Sequence, residues 1–206
     1  MKEAVILANG EFPKGKLALQ ILENKNFLIC CDGAINNLLK TNIEPNLIIG
    51  DLDSINDSLK IKFADILIKI ADQNTNDLTK AINWCIANNI TDVTILGATG
   101  KREDHTIANI SLLAKYIEQL NVKIITDYGI FTPITKKTKF KSEKGQQVSI
   151  FSLDCDKEIS SENLKYPLQN LKLETWWMGT LNESTKDNFT IICNKNARVI
   201  VYQTLV

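Results

Sequence analysis

The sequence predicts an α/β fold with two parts: an N-terminal, doubly wound, mostly parallel sheet domain followed by a C-terminal antiparallel β-sandwich domain. Three observations lead there. Up to about residue 125, short β-branched runs alternate with stretches whose apolar residues recur at three and four residues, the helical period. Strand and helix repeated in that way imply parallel strands joined by crossover helices. Beyond residue 126 the helical period disappears, and short alternating segments separated by polar turns take over.

The elements follow in order. Strands are expected at 4–8, 27–31, 47–49, 66–70, 93–96 and 122–126, each a run rich in Ile, Val, Leu or Cys. Helices are expected between them at 17–23, 35–40, 78–87 and 107–120. In the second part, 129–134, 146–152, 189–193 and 199–203 read as antiparallel strands. The boundary falls within residues 124–128, giving domains 1–126 and 127–206, with no linker, internal repeat or low-complexity tract.

Composition narrows the function classes. The chain has 206 residues, 44% hydrophobic and 23% charged, enough for a substantial core and typical of globular proteins. Its 24 basic and 24 acidic residues cancel, which argues against a nucleic-acid partner held by counterion release. The apolar stretch within 1–10 is too short for a secretory core, and no run reaches bilayer length, so no membrane role is expected and a cytoplasmic location is. The five cysteines are odd in number and lack Cys-x-x-Cys spacing, which indicates neither a disulfide framework nor a zinc site.

Polar residues gather where the parallel strands end. Asp32-Gly33 follows the second strand, Gly50-Asp51-Leu52-Asp53 the third, Asp72-Gln73-Asn74-Thr75-Asn76-Asp77 the fourth, and Gly97-Ala98-Thr99-Gly100-Lys101-Arg102-Glu103-Asp104-His105 the fifth. Parallel strands present these ends on one rim, where open α/β sheets bind ligands. Asp51 and Asp53 have no cationic neighbour in sequence, and two such carboxylates suit a hard cation such as Mg2+ with phosphate oxygens; the competing reading is a solvated turn. Asp77, opening a helix, either complements that helix's dipole or completes the metal shell. The Gly97–Gly100 loop with Lys101 and Arg102 offers free N–H groups and two cations ahead of a helix N-terminus, a seat for anions without the Walker A pattern. Asp104 suits the N-cap of a helix starting near Thr106. His105, the chain's only histidine, is open to a structural or a functional role.

In this order the stations, through Thr106-Ile107-Ala108-Asn109, resemble the thiamine pyrophosphokinase family, and Gly145-Gln146-Gln147-Val148-Ser149 and Leu164-Lys165-Tyr166-Pro167-Leu168 resemble its β domain. The family's Asp-Gly-Gly-Ala-Asn-Arg reads Asp32-Gly33-Ala34-Ile35-Asn36-Asn37 here, its Leu-Lys-Trp reads Leu164-Lys165-Tyr166, and its Ser-Asn reads Leu181-Asn182. The resemblance implies transfer of a pyrophosphoryl group from ATP to thiamine, giving thiamine diphosphate and AMP, by a homodimer with its active sites at the subunit interface. It further implies Mg2+ on Asp51, Asp53 and Asp77, with Arg102 and Asp104 joining these in the catalytic set. ATP would be held by Asp32, Gly33, Asn36, Thr99, Gly100, Arg102 and His105, and thiamine by Gln73, Tyr166, Thr180 and Asn182. Asp77 and Asp104 are both candidates to take the hydroxyl proton, and Trp176 and Trp177 either stack on thiamine or pack within the β domain. A nucleotide-sugar transferase and a non-catalytic thiamine or nucleotide sensor are the alternatives on the same fold.

Overall fold

The computed structural model describes residues 2–206. The described chain forms two compact units, one reaching to Ile110 together with Gln119–Asp127, the other Ser111–Glu118 with Tyr128–Val206.

The first unit is built on parallel strands β1 (Glu3–Leu7), β2 (Leu28–Cys31), β3 (Leu47–Gly50), β4 (Leu67–Lys69), β5 (Asp92–Leu96) and β6 (Asn121–Ile125), in the spatial order β6-β5-β1-β2-β3-β4. Every residue of β2 and β3 is buried, as are four of the five in β1, which explains why these strands read as unbroken apolar runs. At the end of the order, β4 is short and partly exposed, with Lys69 in solvent. The order reverses at β1: the chain proceeds outward through β2, β3 and β4, then returns to lay β5 on β1's other side. That reversal opens a crevice beyond the carboxyl ends of β1 and β5.

Helices α1 (Lys16–Glu23), α2 (Ile35–Leu38), α3 (Asp57–Lys62), α4 (Asp77–Ala87) and α5 (Glu103–Tyr116) complete the unit, the last continuing beyond residue 110. Two differ from expectation. The sequence reading has no helix at α3, which buries none of its residues and so leaves no apolar stripe; Asn56 caps it, its Oδ1 accepting from the Leu59 N–H at 2.9 Å, and Lys60 and Lys62 occupy its last turn. Expected from residue 107, α5 begins instead at Glu103, so Asp104 lies in its first turn and is not its N-cap. Carboxylates at those positions favour the early start, because they face the unpaired N–H groups of the helix end.

The second unit is a sandwich of two antiparallel layers. One holds β7 (Gly129–Ile134), β9 (Gln147–Ser152), β14 (Val199–Thr204) and the short β12 (Asn182–Glu183), and the other β8 (Thr138–Lys141), β10 (Glu158–Glu162), β11 (Leu171–Lys172) and β13 (Asn188–Cys193). Inward residues at every second position, Val148 and Ile150 on β9 and Val199 and Val201 on β14, meet Phe140, Ile159, Phe189 and Ile191 from the facing sheet. Phe140 and Phe189 stack at 5.0 Å between ring centres. Among the described residues no helix is long and apolar enough to cross a membrane.

Candidate active site

A cavity of about 520 Å3 lies at the reversal point of the first unit's sheet. Its floor and walls come from the segments that follow β1, β2, β3, β4 and β5, so the stations read from the sequence do share one rim.

Asp32 follows β2 in a single 3-10 turn and is buried. Its Oδ2 accepts from the Ser54 N–H at 3.3 Å, while Oδ1 is buried with no hydrogen-bond partner. Burial pushes this carboxyl above its ordinary pKa, and the charges of Asp77 and Asp53 push the same way. Gly50 permits the arrangement, since a Cβ there would lie 2.6 Å from the Cβ of Asp32.

Asp51 and Asp53 extend the acidic group. Leu52 between them has a φ of 66°, and this left-handed kink lets the Asp53 N–H reach back toward Asp51 Oδ1 at 3.4 Å. Gln73 Nε2 donates to Asp51 Oδ2 at 3.4 Å and Ser54 Oγ to Asp53 Oδ1 at 3.0 Å. Burial alone would raise the pKa of Asp51, but the Asp53 N–H, Lys80 and Gln73 outweigh it and hold the group below the usual carboxylate range. Asp32, Asp51 and Asp53 each bring a carboxylate oxygen within 4.8 Å of the others. Three converging carboxylates, one of them with an orphaned, buried oxygen, suit a divalent cation such as Mg2+.

Asp77, the third carboxylate expected of the metal set with Asp51 and Asp53, lines the same cavity but lies outside that group, in which Asp32, expected only as a nucleotide contact, takes the third place. Asp77 Oδ1 accepts from Lys80 Nζ at 2.9 Å, and Lys80 also stands 3.9 Å from Asp51 Oδ2. Lys80 is only 3% exposed; its amine is kept protonated against the pull of burial by Asp77 and Asp51. The sequence reading passed over Lys80, although its spacing three residues after Asp77 on a helix is a pairing signal. Asn76 caps α4, its Oδ1 accepting from the Thr79 N–H at 2.9 Å. It also donates to Asn109 Oδ1 at 3.2 Å, and Asn109 donates in turn to the Ala98 carbonyl at 2.8 Å, joining two walls of the cavity.

The glycine-rich loop after β5 supplies Gly100, Lys101 and Arg102 to the lining, and the first turn of α5 supplies His105. Gly100 needs its φ of 79° and its missing side chain, because a Cβ would lie 2.7 Å from Glu11. Arg102 is fastened to Asp104, Nε donating to Oδ1 at 3.0 Å and an Nη to Oδ2. That guanidinium holds the Asp104 carboxyl down at about 2. Asp104 is therefore a poor proton acceptor, and it does not line the cavity.

Gly33, Asn36 and Thr99 are not part of the cavity's lining. Gly33 sits against Asn9 and Ser54, Asn36 Nδ2 donates to the Ser54 carbonyl at 3.3 Å, and the Thr99 carbonyl accepts from the Glu11 N–H at 2.7 Å. Tyr166, Thr180 and Asn182 belong to the second unit. There the Asn182 amide is buried and engaged with the Tyr166 backbone, accepting from its N–H at 3.1 Å and donating to its carbonyl at 2.7 Å, so it fixes a loop that leaves the Tyr166 ring exposed. Thr180 Oγ1 donates to the Trp177 carbonyl at 2.7 Å. Trp176 packs edge-on against Phe151 at 5.7 Å, whereas Trp177 is 75% exposed.

The pattern of the thiamin pyrophosphokinase catalytic domain matches residues 18–126, and that of the thiamin pyrophosphokinase substrate-binding domain matches residues 129–202. The chain belongs to the thiamin pyrophosphokinase family. Among its relatives, thiamin pyrophosphokinase 1 of Caenorhabditis elegans is 28% identical over 185 residues, covering 82% of this chain and 76% of that protein. Thiamine pyrophosphokinase of Bacillus subtilis is 29% identical over 142 residues, covering 65% of this chain and 66% of the relative. The crystal structure of the Bacillus subtilis thiamine pyrophosphokinase superposes with a TM-score of 0.81 at 22% identity over the whole of both chains. The solved structure of thiamin pyrophosphokinase from Candida albicans does so at 0.80 and 19% identity, covering all of this chain and 89% of the other. These likenesses match the family expected from the strand-end stations, and they favour neither the sugar transferase nor the sensor.

Proposed function

We propose that the chain transfers a pyrophosphoryl group from ATP to the hydroxyethyl arm of thiamine, giving thiamine diphosphate and AMP. The observation that carries this reading within the site is the convergence of Asp32, Asp51 and Asp53 at the sheet's reversal point, with one oxygen of Asp32 buried and unpartnered. With Asp77 across the same cavity, these carboxylates would hold Mg2+, which when bound neutralises charge on the phosphate oxygens.

The transfer requires an alcohol positioned in line with the β-phosphorus and compensation for charge on crowded oxygens. Arg102 and the backbone of the Gly97–Gly100 loop face the phosphate chain, and a guanidinium matches phosphate geometry with two parallel hydrogen bonds. Asp77 takes the alcohol proton in this scheme. Its Oδ1 is anchored by Lys80, its other oxygen makes no hydrogen bond among the described residues, and Asp104 is neutralised as a base by Arg102. Asp32, Gly33, Asn36, Thr99, Gly100 and His105 surround the nucleotide. Gln73 faces thiamine, and Tyr166, steadied by Asn182 and near Thr180, offers a ring to stack on it from the second subunit of a homodimer. Five free thiols suit the reducing, ATP-rich cytoplasm, where we place the protein.

The test is incubation of the purified protein with ATP, Mg2+ and thiamine, with chelator and no-thiamine controls. Equal, thiamine-dependent formation of AMP and thiamine diphosphate, lost on chelation, is expected. ADP in place of AMP would mean monophosphoryl transfer, and tight thiamine binding without product would leave the sensor.

A further inference from the structure

Lys101 lines the cavity in a conformation that residues bearing a Cβ disfavour, with a φ of 61°. Its Nζ donates to two neutral acceptors of Asn9, the carbonyl at 3.1 Å and Oδ1 at 3.2 Å. These contacts join the segments after β1 and β5, but backbone bonds already join them: Gly10 N–H to the Gly97 carbonyl and Glu11 N–H to the Thr99 carbonyl, each at 2.7 Å. The lysine is thus not needed to hold the two loops together. The other lysine and the arginine of the cavity each have a carboxylate partner, Lys80 in Asp77 and Asp51, and Arg102, which also faces the phosphate chain in the reading above, in Asp104. Lys101 is the cavity cation that, among the described residues, has no carboxylate partner. Backbone strain held at a cavity rim, on a residue whose charge is unmatched, is the pattern expected of a ligand contact.

We infer that Lys101 is a specificity-determining residue for the nucleotide's phosphate chain: its ammonium leaves the neutral acceptors of Asn9 for the oxygens of a bound polyphosphate. This inference rests on the nucleotide reading of the cavity given above. An ammonium gains more from a charged oxygen than from an amide one, so the contact favours ATP over the leaving AMP, which carries less charge.

The experiment compares wild type with Lys101→Met, Lys101→Gly and Lys101→Arg. It measures the Kd of α,β-methylene-ATP and of AMP with Mg2+ present, the melting temperature, and KM for ATP and for thiamine. Lys101→Met is expected to weaken binding of the ATP analogue about tenfold, in line with the loss of one charge-assisted contact at an exposed site. AMP binding and KM for thiamine should stay near their wild-type values. Lys101→Gly should lose the same affinity without a fall in melting temperature, since glycine accepts the backbone conformation, and Lys101→Arg should recover most of the binding. An analogue Kd near that of wild type in Lys101→Met, or equal losses for analogue and AMP, would overturn the inference. If wild type binds the analogue yet forms no AMP with thiamine, the pyrophosphokinase reading falls while the binding ratios still decide the role of Lys101; if wild type does not bind the analogue, both fall.

Discussion

Asp51 shares its surroundings with two other carboxylates and a buried lysine, so its substitution should separate chemistry from stability. Asp51→Asn removes one charge from a crowded acidic group and keeps the shape that accepts from the Asp53 N–H. We expect AMP formation to fall at least about 100-fold, the scale of losing a preorganised charge contact, with the melting temperature unchanged or slightly lowered, because the Asp53 N–H, Lys80 and Gln73 favour the charged form. Near-normal turnover would remove the metal assignment. Gly50→Ala tests the same group from below. The added methyl would press on the Cβ of Asp32, so activity should drop together with about 1–3 kcal/mol of stability by denaturant unfolding, the usual cost of overpacking. At this scale the sequence made the acidic pair plain, because Asp-x-Asp at the end of an apolar run needs no distant partner to be noticed. Asp32 was readable as a rim residue, but its membership in the three-carboxylate group depends on Gly50 and Ser54, about twenty positions away, and Asn109 acts through Asn76 and Ala98. Such roles come into being only when the strands align.

Between elements, the turn after β9 is tied to the start of β14 by Asp154. Its carboxylate accepts from the Arg198 N–H at 2.8 Å and from the Arg198 guanidinium at 2.7 Å, and Lys157 stands 3.4 Å away. The Arg198 side chain and its N–H hold this carboxyl well below the usual range. A depressed folded pKa means that the stabilisation is complete above the unfolded carboxylate value, about 3.9, and fades as the pH falls toward the folded one. Asp154→Asn should therefore cost about 1–2 kcal/mol at pH 7, the lower range for a buried pair because the arginine is partly in solvent. Urea unfolding at pH 7 and at pH 3 checks this: the gap between variant and wild type should narrow in acid, and a gap independent of pH would refute the electrostatic account. The elements themselves were legible to the extent that they bury an apolar face. Strands β1, β2 and β3 were read from their continuous runs, whereas α3, with no buried residue, offered only its Asn56 cap, and the short strands β11 and β12 are too brief for any period to show.

At the scale of the whole molecule, the proposal that thiamine sits between one subunit's first unit and the partner's second has a consequence that neither unit alone can produce. Sedimentation at assay concentration should first show a dimer. Asp51→Asn would disable the carboxylate group, and Tyr166→Ala, which removes an exposed ring and leaves the Asn182 bonds to its backbone, would disable thiamine binding. Each variant alone should be nearly inactive with thiamine at low concentration. Unfolded together and refolded as an equal mixture, half the dimers carry one of each chain, and in a two-fold symmetric dimer such a hybrid has one site with both defects and one with neither. Activity should return to about a quarter of the wild-type level, set by that count of intact sites. If each site were built within a single chain, every site in the mixture would keep one defect and no activity would return, so an inactive mixture of verified hybrid dimers would refute the shared site while leaving the carboxylate assignment intact.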